Sequence, residues 1–146
     1  MHQVSASISM IAAVFAMGAL TLAMAAAQGV TRLWAMRRAG LALQDAAHTV
    51  DLDHKLPSTA RRVNDNYNHL TEAPTVFYAV VLAAVAADLA DPFLAKVVWA
   101  YVVLRLAHSI VQATINRVAL RAAIYSASWL ALALLIVVPL LRASSG

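Results

Sequence analysis

Three sets of polar side chains recur at helical spacing in a chain that is otherwise strongly apolar. Arg105, His108, Gln112 and Asn116 follow at steps of three, four and four residues, which places them on one stripe of a helix. Asp65, His69 and Glu72 form a second stripe, with Asn68 beside it, and Arg117, Arg121, Tyr125 and Ser128 form a third. Together with Arg32 these groups would line a polar, net-basic cavity, which suits an anionic, water-soluble ligand. The chain has no Cys, so it brings no thiol nucleophile, disulfide or thiolate metal site of its own, and thiol chemistry would need a thiol cosubstrate. His2, His48 and His54 are scattered without ligand spacing, and no metal is assigned.

Positioning these groups falls to long apolar helices. Of the 146 residues, 62% are hydrophobic and only 12% charged, with mean hydropathy +0.73. A water-soluble fold of this size cannot bury so much apolar surface, and the bilayer is the expected solvent. The composition also excludes disorder and a disulfide scaffold. Four spans, at about 8–31, 62–89, 92–115 and 119–141, predict an all-α membrane protein, a single four-helix domain over 1–146. Ala25-Ala26-Ala27 before Gln28 looks like a signal cleavage site, but the preceding segment lacks Lys and Arg and its apolar run is long, so a first span is expected instead.

Between the first two spans lies one long polar connection with Asp45, Asp51 and Asp53, whose Ala/Leu-rich first half could continue as an interfacial helix. Ser58 after Pro57 reads as the N-cap of the second helix, and Asp91 before Pro92 as the N-cap of the third. Asn116-Arg117-Val118 reads as a tight connection or a helix break. The fourth span should end near Pro139, with Ser144-Ser145-Gly146 as a tail. Basic residues crowd one side, Arg32, Arg37, Arg38, Lys55, Arg61 and Arg62 with Arg117 and Arg121, against Lys96 and Arg142 on the other. The positive-inside rule then predicts both termini on the non-cytoplasmic side and the polar set in the cytoplasmic half. The net charge of +4 goes into this asymmetry rather than into a nucleic-acid patch.

Plainer roles compete for the same residues. Arg37 and Arg38 serve as orientation signals, Arg105 and Glu72 could form a structural interhelical ion pair, and His108 could be a core histidine bonded across helices. Trp34, Trp99 and Tyr101 read as anchors at the membrane interface.

The motifs resemble those of the membrane-associated proteins in eicosanoid and glutathione metabolism, the MAPEG family. Arg105-Leu-Ala-His108, then Asn116-Arg117-Val-Ala-Leu-Arg121, then Tyr125 is similar to the third-to-fourth-helix signature of the microsomal glutathione transferases and the prostaglandin E synthase. Asn68-His-Leu-Thr-Glu72-Ala-Pro74-Thr-Val-Phe77-Tyr78 is similar to the second helix of bacterial members. The resemblance implies a homotrimer binding glutathione between neighbouring subunits, with a lipophilic cosubstrate arriving from the membrane. It places the thiolate-stabilising Arg at Arg121, near Tyr125, and the glutathione site at Arg32, Asn68, Glu72, Arg105, His108, Gln112 and Arg117.

Departures from the pattern are specific. His69 stands where the family often has Asn, Asn68 where an Arg is common, Gln112 where a Tyr often sits, and Ala122 in place of the Ser that follows the catalytic Arg of the prostaglandin synthase. These argue against prostaglandin-specific activity. The expected function is a glutathione-dependent transferase or peroxidase of the bacterial inner membrane, acting on lipophilic electrophiles or lipid hydroperoxides. The alternative is a non-catalytic lipid-binding module of the same fold. A proton-coupled exporter is disfavoured, because the first and fourth helices carry no acidic group.

Overall fold

The computed structural model describes residues 2–47 and 55–144. His48, Asp51, Asp53 and His54, and the Ser145-Gly146 end of the tail, lie outside the described residues. The chain forms α1 (His2–Arg38), a short 3-10 turn (Leu43–Ala46), α2 (Ser58–Glu72), α3 (Pro74–Ala86), α4 (Pro92–Ala113) and α5 (Val118–Ser144). α2 and α3 make one span interrupted at Ala73, so four helical spans are long and apolar enough to cross a membrane. In hydrocarbon a helix satisfies every interior backbone N–H and C=O within itself, which is why so apolar a chain folds this way.

α4 is the centre of the bundle, packed against α5, α1 and α2. Met10 and Met17 of α1, Phe77 and Val81 of α3, Leu94 and Val98 of α4, and Leu132 and Leu135 of α5 close the apolar core. Phe77 stacks flat on Tyr101, with ring centroids 4.4 Å apart and planes 9° apart. Tyr101 is therefore a core residue, 1% exposed, and not an interface anchor. Phe15, Leu22 and Leu130 instead point outward, as lipid-facing side chains do.

Each helix end is set by local chemistry. At the end of α1, Gly40 takes φ +66°; Gly40 N–H reaches Arg37 O and Leu41 N–H reaches Met36 O, a Schellman pair. That cap stops the helix, so the expected interfacial helix is only the 3-10 turn. Asp88, at φ +57°, closes α3 with the same pattern, through Asp88 N–H to Val85 O and Leu89 N–H to Ala84 O. Asp91 caps α4 as expected, its Oδ1 accepting from Leu94 N–H at 2.7 Å. At α2 the N-cap is Pro57 rather than Ser58, and no side chain caps it. α5 does not end near Pro139 but continues to Ser144. The ring removes only the bond that Leu135 O would accept, and the helix carries on around it.

The hairpin between α3 and α4 lies at the same end as the start of α1 and the end of α5. Gln3 Nε2 donates to Asp88 O (2.6 Å), Trp99 Nε1 donates to Ser9 Oγ (3.1 Å), and Arg142 pairs with Asp91. At the opposite end, Gln28 of α1 donates to Asn64 of α2, and Arg62 Nη1 donates to Thr114 O at the close of α4 (2.6 Å).

Partial burial pushes the Asp91 carboxyl up, but the N–H groups of Leu94 and Phe93 and the Arg142 guanidinium outweigh it and hold the group below its ordinary 3.8. A depressed carboxyl stabilises the fold above its unfolded value and loses that contribution as pH falls through the folded value. Asp91→Ala should therefore lower stability by about 1 kcal/mol at neutral pH, with the difference from wild type shrinking below about pH 4. Thermal unfolding in detergent across pH 3–7 measures this; Asp91→Asn, which keeps a capping oxygen, should lose less.

Candidate functional site

The polar groups gather at the end of the bundle opposite the hairpin. α4 turns Arg105, His108 and Gln112 inward, at 0%, 2% and 0% exposure. Arg105 Nε donates to Tyr101 OH at 3.1 Å, one helical turn back. Its guanidinium carbon lies 5.4 Å from the Tyr101 ring centre and 5.0 Å from that of Tyr125 on α5, close enough for the ring faces to attract the cation. Nη1 and Nη2 have no hydrogen-bond partner among the described residues. The ion pair with Glu72 does not form: Glu72 is exposed on α2, and the one salt bridge among the described residues is Arg142–Asp91.

His108 joins α4 to α5. Its Nδ1 lies 3.3 Å from Arg121 O and its Nε2 lies 2.7 Å from Gln112 Oε1. Arg121 O accepts from an Nδ1–H, and the Gln112 amide, which carries both an acceptor and a donor, can serve His108 Nε2 in either protonation state. Around it His69 of α2 and Tyr125 complete a triangle of rings, with centroids 6.0 Å apart for His69–His108, 5.8 Å for His69–Tyr125 and 5.4 Å for His108–Tyr125.

Two cavities open beside this triangle. One, of about 270 Å³, is lined by His69, His108, Arg121, Ala122, Tyr125 and Ser126. The other, of about 220 Å³, is lined by Asp65, Asn68, His69, Glu72, Gln112 and Arg121. Arg121 and His69 border both. Arg121 Nη1 donates to Asn116 Oδ1 at 2.9 Å, and its main-chain N–H bonds Arg117 O.

The structure thus brings Asn68, Glu72, His108, Gln112, Arg121 and Tyr125 to the cavity walls, with Arg105 buried against Tyr125. It does not bring Arg117 or Arg32 there. Arg117 is exposed just before α5, Arg32 is half-buried on α1, and neither lines these two cavities. Ser128 faces inward and bonds Tyr125 O (2.7 Å). Asn116 leaves the α4 stripe because the helix stops at Ala113. Tyr101 as the partner of Arg105 is a pairing that the interface-anchor reading misses, although its position four residues earlier on the same helix signals it. Asn66 and Ser109, outside the polar stripes, are also buried, with side-chain atoms that lack partners among the described residues. Among the described residues no group of three His, Cys, Asp or Glu gathers as metal ligands would.

A further cavity, of about 290 Å³, lies near the hairpin between α3 and α5 and is walled by apolar side chains such as Val80, Ala84, Leu135 and Pro139. It offers space but no polar chemistry.

A buried guanidinium with two unmet nitrogens is costly to keep in a ligand-free protein. Arg105→Met, similar in length and uncharged, should raise the stability of the unliganded protein, on the order of 1–4 kcal/mol. A higher unfolding temperature in detergent without added ligand is the expected result, and a lower one would show that the cation is already satisfied within the fold.

Comparison with known families gives one match: the model of the MAPEG family fits residues 10–141, which runs through all four spans. No curated protein and no solved structure matches the chain.

Proposed function

The chain belongs to the MAPEG family, and from that membership and the geometry of the polar end we propose that it is a glutathione-dependent membrane transferase or peroxidase. Its substrates are lipophilic electrophiles or lipid hydroperoxides. Membership carries the coarse statement, an integral multi-pass membrane protein with a function related to glutathione metabolism. The residues support the finer one.

The observation that carries the reading is Arg121 at the shared wall of the two polar cavities, with Arg105 buried behind Tyr125 and, among the described residues, no carboxylate paired to either. Arg105 keeps two buried nitrogens unmatched among the described residues, and Arg121 borders both polar cavities. A tripeptide with two carboxylates and an α-amino group fits this donor set: guanidinium groups bind carboxylates bidentately, while Asp65 and Glu72 offer acceptors for an ammonium. Glutathione supplies the sulfur that a Cys-free chain lacks. Arg121 favours the thiolate by placing a cation near sulfur. Tyr125 lies beside it, and Arg105, His108, Gln112, Asn68 and Glu72 hold the peptide. Arg117 and Arg32 act at the margin, from a neighbouring protomer in a homotrimer. The first cavity runs out to Ala122 and Ser126 on the exposed side of α5, where a second subunit or a lipophile would close it. The protein sits in a bacterial inner membrane with both termini away from the cytoplasm.

On mixing with glutathione, the wild-type protein should show the ultraviolet difference band of a thiolate, and Arg121→Ala should reduce it at least tenfold at neutral pH, as expected when a cation is removed from beside sulfur. An undiminished band would remove Arg121 from this role. Calorimetry in detergent that finds a fatty acid bound and glutathione unbound would overturn the enzyme reading in favour of a lipid-binding module.

A further inference from the structure

Asn116 sits at the most irregular point of the α4–α5 connection. Its φ is +46°, a left-handed conformation that Asn tolerates better than most residues with a Cβ. Its main-chain N–H reaches back 2.7 Å to Val111 O, closing the last turn of α4. The same residue then extends its side chain to Arg121, with Oδ1 accepting from Nη1 at 2.9 Å. Arg121 is gripped from its other end by His108 Nδ1, 3.3 Å from the Arg121 carbonyl.

The chemical type of this acceptor matters. Asp65 and Glu72 border a cavity with Arg121, yet neither forms a salt bridge with it. From α4 and α5 the facing groups are His108 and Tyr125, and from α2 also His69. The guanidinium is held by a neutral amide, which fixes its direction without cancelling its charge.

We propose that Asn116 is a positioning residue: its left-handed backbone aims a neutral acceptor that holds the Arg121 guanidinium toward the cavities with its full charge available to an anionic sulfur. The inference rests on the thiol-activating reading of the site. In the step it serves, the ligand S–H bond breaks, the proton passes to water and the electron pair stays on sulfur beside Arg121.

Two variants separate this role from a structural one, because both allow a left-handed backbone. Asn116→Gly keeps the turn and deletes the acceptor; Asn116→Asp keeps the acceptor and adds a charge that pairs with Arg121. The purified full chain in detergent is titrated with glutathione from pH 5 to 9, following the thiolate band, and the affinity for S-methylglutathione, which has no ionisable thiol, is measured alongside. In Asn116→Gly the thiolate midpoint should rise by about one pH unit, or about tenfold less thiolate at a fixed pH below it. Asn116→Asp should raise the midpoint further. Affinity for S-methylglutathione should change less than about threefold, since the tripeptide contacts remain. Wild-type midpoints in folded samples of either variant would overturn the positioning role while leaving the thiol-activating reading intact. Absence of a thiolate band in the wild-type protein would remove that reading and this inference with it.

Discussion

The arrangement depends on one buried cation. Arg105 is wholly enclosed, in a bundle whose surroundings are hydrocarbon, and its guanidinium meets one phenolic oxygen and two aromatic faces. A charge so placed needs neighbours that compensate for lost water. Tyr101 supplies an acceptor, and its ring stacks on Phe77 of α3, so the packing that fixes Tyr101 also fixes the guanidinium. Tyr125 covers it from α5. This ties the core between α3 and α4 to the polar chamber above it, and leaves two nitrogens without a partner among the described residues.

Around that cation the helix ends determine direction. Arg62 clamps the Thr114 carbonyl just past α4, Asn116 turns the chain in a left-handed step, and Arg121 enters one turn into α5 with its side chain held back toward that step. His108 bonds the main chain of the same residue. The site is therefore assembled from a break between two spans, where the backbone leaves the helix and polar groups can be satisfied. At the far end, Asp91, Arg142, Gln3 and Trp99 hold the spans in register through contacts remote from this chemistry.

Much of this was legible in the sequence because lipid makes the rules strict. Four apolar runs could hardly be anything but spans, and Asp91-Pro92 announced the start of α4. Steps of three and four placed Arg105, His108 and Gln112 on one buried face, and Asp65, Asn68, His69 and Glu72 beside one cavity. What periodicity could not reveal is where a stripe stops. Asn116 continues the spacing of the α4 stripe but lies beyond the helix, because the turn changes direction there. Nor could it choose partners: Arg105 and Glu72 carry opposite charges on adjacent spans, yet the side chain of Arg105 turns to its own helix and the carboxylate stays exposed. The type and position of Tyr101 suit the membrane interface, while its stacking on Phe77 depends on how α3 and α4 face each other. Pro139 reads as an end in sequence, although one lost bond in a long lipid-embedded helix is tolerated.

The central claim is that the guanidinium of Arg121, held at the shared wall of the two polar cavities, and that of Arg105, buried behind Tyr125, serve one thiol-bearing peptide with two carboxylates. An experimental structure of the full protein with glutathione tests it most directly. The account predicts tripeptide density spanning the two polar cavities, a carboxylate within hydrogen-bond distance of Arg105 Nη1 or Nη2, and sulfur facing Arg121. Density for a lipid there instead, or Arg105 nitrogens paired only to protein or water with glutathione bound elsewhere, would contradict it.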